Sequence, residues 1–141
     1  MNTERNYIQE MRERDFLIKF DKVVKQMKAA NITYKTTKVC ILVSRQPAPC
    51  FYVSLEQALY QYRLFKHGKS HIKNEERRKM YAEIFARFEN LMEMAGGDAY
   101  QYQIMEIVLQ QEAPSFYLNE ASALQFYYNA VKNKRIKARN K

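Results

Sequence analysis

"QPAPCFYVSLEQALYQY" at residues 46–62 is followed, 65 positions later, by "QEAPSFYLNEASALQFY" at residues 111–127. The two stretches align without a gap and share identical residues at Gln46/Gln111, Ala48/Ala113, Pro49/Pro114, Phe51/Phe116, Tyr52/Tyr117, Ala58/Ala123, Leu59/Leu124 and Tyr62/Tyr127. We call the shared Ala-Pro-x-Phe-Tyr element, residues 48–52 and 113–117, the APxFY motif. The constant offset indicates that one unit occurs twice in the chain.

Each APxFY motif is expected to end one helix and orient the next. Its proline lacks a backbone N–H and biases the preceding alanine away from helical backbone. Its phenylalanine is expected to be buried, since apolar residues at repeated positions usually belong to the core, and its tyrosine needs a polar partner if buried. The predicted structural residues are Pro49, Phe51, Tyr52, Pro114, Phe116 and Tyr117.

Apolar residues recur at helical spacing on both sides of the motifs, and the chain has only three glycines and three prolines. Both observations favour a few long helices. Residues 36–45 are rich in β-branched side chains, but their counterpart 65 positions on is not, and it has a helical pattern. We therefore predict an all-α fold of about six helices, over residues 4–29, 36–46, 54–67, 74–95, 98–112 and 119–134.

Residues typical of helix ends support these bounds. Predicted N-caps are Ser54, Asn74, Asp98 and Asn119. Residues that tolerate left-handed backbone, Asn31 and Gly68, follow two of the helices. The resulting arrangement is a tandem duplication of a three-helix unit, at residues 9–73 and 74–138, packed as one globular domain. Residues 1–8 and 139–141 are left as termini.

The net charge of +9 is unevenly distributed. Residues 80–120 contain one Lys or Arg and seven Asp or Glu, whereas residues 121–141 contain six basic residues and no acidic one. A basic excess suggests an anionic partner. The alternation of acidic and basic zones is equally compatible with charges that complement each other within the fold or between subunits.

Residues typical of catalytic and metal sites are sparse. The order Cys40, Cys50, His67, His71 resembles a zinc site only superficially, because the cysteines lie too far apart for the usual short hairpin. Glycine-rich phosphate loops and nucleophile motifs do not occur. We predict no catalytic residue, no metal, no cofactor and no small-molecule substrate. The free cysteines, the charged N-terminus and the lack of a long apolar run predict a cytoplasmic protein without a membrane partner.

Two hypotheses of function follow. The first is nucleic-acid binding, in a helix-turn-helix-like manner, through the third helix of each unit and the C-terminal tail. Its candidate residues are Arg63, Lys66, Lys69, Lys132, Lys134, Arg135, Lys137 and Arg139. The second is a protein-interaction or assembly module, binding itself or another protein, because the 11 tyrosines and seven methionines can serve as interface anchors.

Overall fold

A computed structural model describes residues 3–97 and 100–140, and within these residues the chain forms six helices and no β-strand. The helices are α1 (Thr3–Ala29), α2 (Thr36–Ser44), α3 (Leu55–Lys66), α4 (Glu75–Met94), α5 (Gln101–Gln110) and α6 (Glu120–Arg139). The all-α class is therefore confirmed, and residues 36–44, whose composition also suits a strand, are helical.

The predicted helix ends are largely confirmed. The side chains of Ser54, Asn74 and Asn119 each accept a hydrogen bond from the backbone N–H three residues later. Asn31 and Gly68 have φ values of 56° and 69°, the left-handed backbone expected after a helix. The predicted cap Asp98 lies outside the described residues.

Helix α6 continues beyond its predicted end at residue 134. It reaches Arg139, with Lys137 and Arg139 in its last turn. Lysine, arginine and alanine have high helix propensity, and positive charge is favoured near a helix C-terminus. The basic residues from Lys132 to Arg139 therefore all lie within α6.

The six helices pack as two three-helix clusters, and each cluster draws on both halves of the chain. In the first cluster, α6 packs against α1 and α2. In the second, α3 packs against α4 and α5. Helix α3, from the first half of the chain, thus lies against α4 and α5 of the second half, and α6 lies against α1 and α2 of the first half.

The two APxFY motifs meet between these clusters. Ala48 N donates to Ala113 O at 2.9 Å, and Ala113 N donates to Ala48 O at 2.8 Å. Phe51 N donates to Leu109 O at 3.0 Å. The residues 65 positions away form the reciprocal bond, from Phe116 N to Ser44 O at 3.1 Å. Every bond in this set therefore has a counterpart related by the sequence offset.

The aromatic rings of the motifs pair in the same reciprocal way. Phe51 stacks on Tyr117 with ring centroids 6.3 Å apart, and Phe116 stacks on Tyr52 at 5.9 Å. Phe51 is 3% exposed and Phe116 is 1% exposed, which confirms their predicted burial. One apolar core runs through both clusters and includes both motif phenylalanines.

Candidate functional site

The predicted basic residues of the first unit lie on and just after α3, which packs against α4. Arg63, Lys66 and Lys69 are exposed. Lys66 forms an ion pair with Glu89 of α4, with Nζ and Oε2 3.5 Å apart. The positive potential on this side is therefore partly offset by its neighbour, which weakens its attraction for a phosphate backbone.

The predicted basic residues of the second unit form a denser group on α6. Its five exposed cations are Lys132, Lys134, Arg135, Lys137 and Arg139. We call these five side chains the α6 basic face. Helix α6 packs on α1 and α2 rather than on α4 and α5, which carry most of the acidic residues between positions 80 and 120. The structure thus separates this group from most of the acidic band at residues 80–120.

A surface groove accompanies the α6 basic face. It has a volume of about 490 Å³ and is lined by Tyr127, Tyr128, Val131, Lys132, Arg135, Ile136 and Arg139. Tyr128 is 53% exposed, so a large part of its ring is available to solvent. Cations interleaved with an exposed aromatic ring are typical of surfaces on which nucleic-acid bases stack.

Polar contacts hold α6 along the first half of α1. Asn133 Nδ2 donates to both carboxylate oxygens of Glu13, at 3.1 and 3.2 Å, and Glu13 is 8% exposed. Lys137 Nζ lies 2.9 Å from Glu10 Oε2. Sequence reasoning missed this anchoring, because no local pattern shows which carboxylates of α1 face α6.

A larger cavity lies where α1, α3 and α4 approach the two APxFY motifs. Its volume is about 800 Å³. It is lined by Asn6, Ile8, Gln9, Arg12, Cys50, Phe51, Tyr52, Val53, Ser54, Gln57, Gln61, Arg77, Met80, Tyr81, Ser115, Phe116 and Tyr117. We call it the central cavity. Its lining includes two arginines, several aromatic rings and, among the described residues, no carboxylate.

Arg12 is the most constrained polar residue of the central cavity. Its Nη2 donates to the carbonyl oxygens of Phe116 and Tyr117, and its guanidinium carbon lies 5.1 Å from the ring centre of Phe126. Its Nε is buried without a hydrogen-bond partner in the described part of the chain. Burial lowers the pKa of Arg12, because removal from water disfavours the charged form.

Sequence analysis did not single out Arg12, although one signal was present. Ile8, Arg12 and Phe16 are spaced four residues apart and so share one face of a helix. Phe16 is fully buried on this face. A cation on an otherwise apolar helix face is a departure from the usual amphipathic pattern, and it points to a buried role.

Gln61 contributes a second buried polar atom to the central cavity. Its Oε1 has no hydrogen-bond partner among the described residues. The residue 65 positions later is Phe126, whose ring packs against Phe16 with centroids 5.2 Å apart. At this position the second cluster therefore has the shorter, polar side chain of Gln61, whereas the first cluster has the phenyl ring of Phe126.

The motif tyrosines differ in their environments. Tyr52 donates its hydroxyl hydrogen to Asp15 Oδ2 at 2.8 Å, and burial together with this bond raises the pKa of Tyr52. Tyr117 has a φ of 55°, in the left-handed region that costs a non-glycine residue conformational energy. Burial, followed by the nearby charge of Glu83, raises the pKa of Tyr117 to about 12.

The cysteines and histidines are not gathered into a metal site in the described part of the chain, where no group of three or more potential ligand side chains occurs. Cys40 is buried in α2, and burial raises its pKa to about 11. Cys50 lines the central cavity, and burial followed by the charge of Asp15 raises its pKa as well. Both shifts disfavour the thiolate that nucleophilic or metal-binding cysteines require.

No helix within residues 3–97 and 100–140 combines the length and the apolar character needed to cross a lipid bilayer. Comparisons with protein-family models, curated proteins and solved structures found no match to this chain.

Proposed function

We propose that this chain is a non-enzymatic, cytoplasmic nucleic-acid-binding protein whose contacts are made mainly by the α6 basic face. The observation that carries the proposal is the continuous helix from Glu120 to Arg139, which presents five exposed cations in its last two turns and a half. Phosphate contacts supply most of the affinity in non-specific binding. The exposed ring of Tyr128 adds a surface for base stacking.

The first-unit candidates Arg63, Lys66 and Lys69 are assigned a secondary role. This group has three cations against five on the α6 basic face, and one cation of each group lies in an ion pair, Lys66 with Glu89 and Lys137 with Glu10. Neutralising this group should therefore weaken nucleic-acid binding less than neutralising the α6 basic face. The connection from α2 to α3 spans residues 45–54, longer than in a helix-turn-helix, and the two helices pack mainly in different clusters.

We also propose that the chain is a tandem duplication in which the two units, residues 9–73 and 74–138, exchange their third helices. The reciprocal hydrogen bonds between the motifs support this proposal. Ring contacts across the clusters support it as well: Phe20 lies 4.2 Å from Tyr127, and their counterparts Phe85 and Tyr62 lie 5.4 Å apart, measured between ring centroids.

Binding to a random DNA duplex and to a single strand, at about 50 and 200 mM salt, tests the nucleic-acid proposal. Four or five phosphate contacts should lower the affinity roughly a hundredfold or more over that range. The triple variant Lys132→Gln, Arg135→Gln, Arg139→Gln should reduce the salt slope by about two to three. No binding at low salt by the folded protein would refute the proposal.

The matched control removes three charges elsewhere. The variant Lys22→Gln, Lys25→Gln, Lys28→Gln changes exposed residues of α1 and alters the net charge by the same amount. If both triple variants weaken binding equally, net charge and not the α6 basic face determines the affinity.

An assembly module is the second candidate function, and one observation favours it. Large apolar side chains are exposed around α5: Met94 by 75%, Tyr102 by 62% and Ile107 by 53%. Exposed apolar patches often mark interaction sites. Light scattering over a range of protein concentrations tests this alternative, and a Tyr102→Ser, Ile107→Ser variant should remain monomeric if α5 forms the interface.

A further inference from the structure

The central cavity has the features of a binding site for a small molecule. Its volume of about 800 Å³ lies within the range of small-molecule pockets. No described residue of α6 lines it. It is therefore separate from the α6 basic face and requires its own explanation.

The charged groups of the cavity select an anion. Arg12 and Arg77 both line it, and no Asp or Glu is among its described lining residues. Arg12 uses Nη2 on backbone carbonyls, but its buried Nε has no partner in the described part of the chain. Hydrogen bonds from a guanidinium to an oxyanion are among the stronger ones in proteins, so a phosphate or carboxylate is the group expected here.

The other lining residues favour a ligand that also carries a planar ring and a hydrogen-bond donor. The rings of Tyr52, Tyr81 and Tyr117 contribute flat apolar surface. The free Oε1 of Gln61 needs a donor, such as an amino group on a heterocycle. A ligand that satisfies these groups has an oxyanion at one end, a planar ring and an N–H or O–H donor.

We propose that the central cavity binds a small aromatic oxyanion, of the size and chemistry of a nucleoside monophosphate. Arg12 and Arg77 hold the anionic group through their guanidinium N–H groups. The tyrosine rings flank the planar part, and Gln61 accepts from its donor. The cavity is open for this role because residue 61 is glutamine, whereas Phe126, 65 positions later, fills space against Phe16.

Titration calorimetry on the full chain tests the proposal with three probes: adenosine monophosphate, adenosine and inorganic phosphate. We expect saturable binding of one adenosine monophosphate, at least tenfold tighter than either of the other two. Equal affinity for adenosine would overturn the role of the anion, and equal affinity for phosphate would overturn the role of the ring. Absence of binding by all three at millimolar concentrations would overturn the proposal as a whole.

Two adjacent arginines provide a matched pair of variants. Arg77 lines the cavity and Arg78 does not, yet both are exposed residues of α4. Arg77→Gln should weaken adenosine monophosphate binding about tenfold or more, while Arg78→Gln leaves it within about twofold. Equal effects of the two substitutions would show that the cavity is not the site.

Gln61→Phe gives an independent readout. A phenyl ring at this position should occupy part of the cavity, raise the thermal unfolding midpoint by roughly 2–6 °C and abolish ligand binding. Unchanged binding by this folded variant would place the ligand elsewhere. If the variant does not fold, the comparison of the Arg77 and Arg78 variants still shows whether the central cavity is the binding site.

The α6 triple variant should bind adenosine monophosphate as wild type does. Failure of the nucleic-acid proposal can therefore be distinguished from failure of the cavity proposal.

Discussion

Ala48 and Ala113 exchange two backbone hydrogen bonds, of 2.9 and 2.8 Å, although 65 residues separate them in the chain. Both side chains are buried, at 0% and 1% exposure. A larger side chain at either position would have to displace the buried atoms around it. Since the two motifs contact each other directly, their shared sequence has a structural reason that does not depend on a ligand.

Larger side chains at these alanines should destabilise the protein. Ala48→Leu and Ala113→Leu are each expected to lower the free energy of unfolding by about 1–3 kcal/mol, because a filled core accepts extra methylene groups only with strain. Urea titration measures the loss. The control Ala86→Leu, at an exposed position of α4, should change the value by less than about 0.5 kcal/mol. Losses no greater than the control's would mean that the motif contact is loosely packed.

Removal of the motif phenyl rings should cost more. Phe51→Ala and Phe116→Ala are each expected to lower the free energy of unfolding by roughly 3–5 kcal/mol, through lost burial and the remaining cavity. Tyr60→Ala, at a side chain that is 48% exposed, serves as the control in the same urea titrations. Two losses below about 1 kcal/mol would contradict the assignment of these rings to the core.

Alkaline pH should destabilise the fold through Tyr117. The folded-state pKa is raised from 10.0 to about 12, so the unfolded chain releases this proton first as the pH increases. The stabilising contribution is complete below about pH 10 and is lost between there and about pH 12. Tyr117→Phe should therefore lose less stability than wild type between pH 9 and 11 in denaturant titrations, whereas the exposed control Tyr128→Phe should follow wild type. Parallel curves of stability against pH for wild type and both variants would refute the contribution assigned to Tyr117.

Cleavage of the linker between α3 and α4 should leave the two halves associated. Residues 67–71 are exposed, so a protease site can be inserted there. After cleavage, α3 still packs on α4 and α5, α6 still packs on α1 and α2, and one core joins both fragments. We expect a single peak of unchanged size in gel filtration. Separation into two folded fragments would show that each half buries its own third helix in solution.

The helices themselves were predictable from sequence because their signals are local. Apolar spacing placed every helix end within three residues of its observed position except the end of α6, which lies five residues later than predicted. The N-cap side chains of Ser54, Asn74 and Asn119 bond to the helix starts that follow them. Residues 36–44 have a composition that also suits a strand, and comparison with the segment 65 positions later correctly predicted that they are helical.

The predicted basic residues are exposed, but which of them lie beside a carboxylate could be read only from the structure. Whether a lysine has an acidic neighbour depends on which helix packs beside it. Lys66 meets Glu89 only because α3 lies on α4. The central cavity was not predictable for the same reason, since it is bounded by segments that are distant in the chain.

The sequence by itself determined the class of fold and most of the helix ends, because periodicity and capping act over a few residues. Only the tertiary structure decided which helices share a cluster. The apolar stripes of α3 and α6 share the matched pairs Ala58/Ala123 and Tyr62/Tyr127 and differ at Gln61/Phe126, and this local pattern does not specify which helix pair each stripe covers. In the structure the two chain segments cross at Ala48 and Ala113, where reciprocal backbone bonds join them before α3 and α6 each reach the helix pair of the other half.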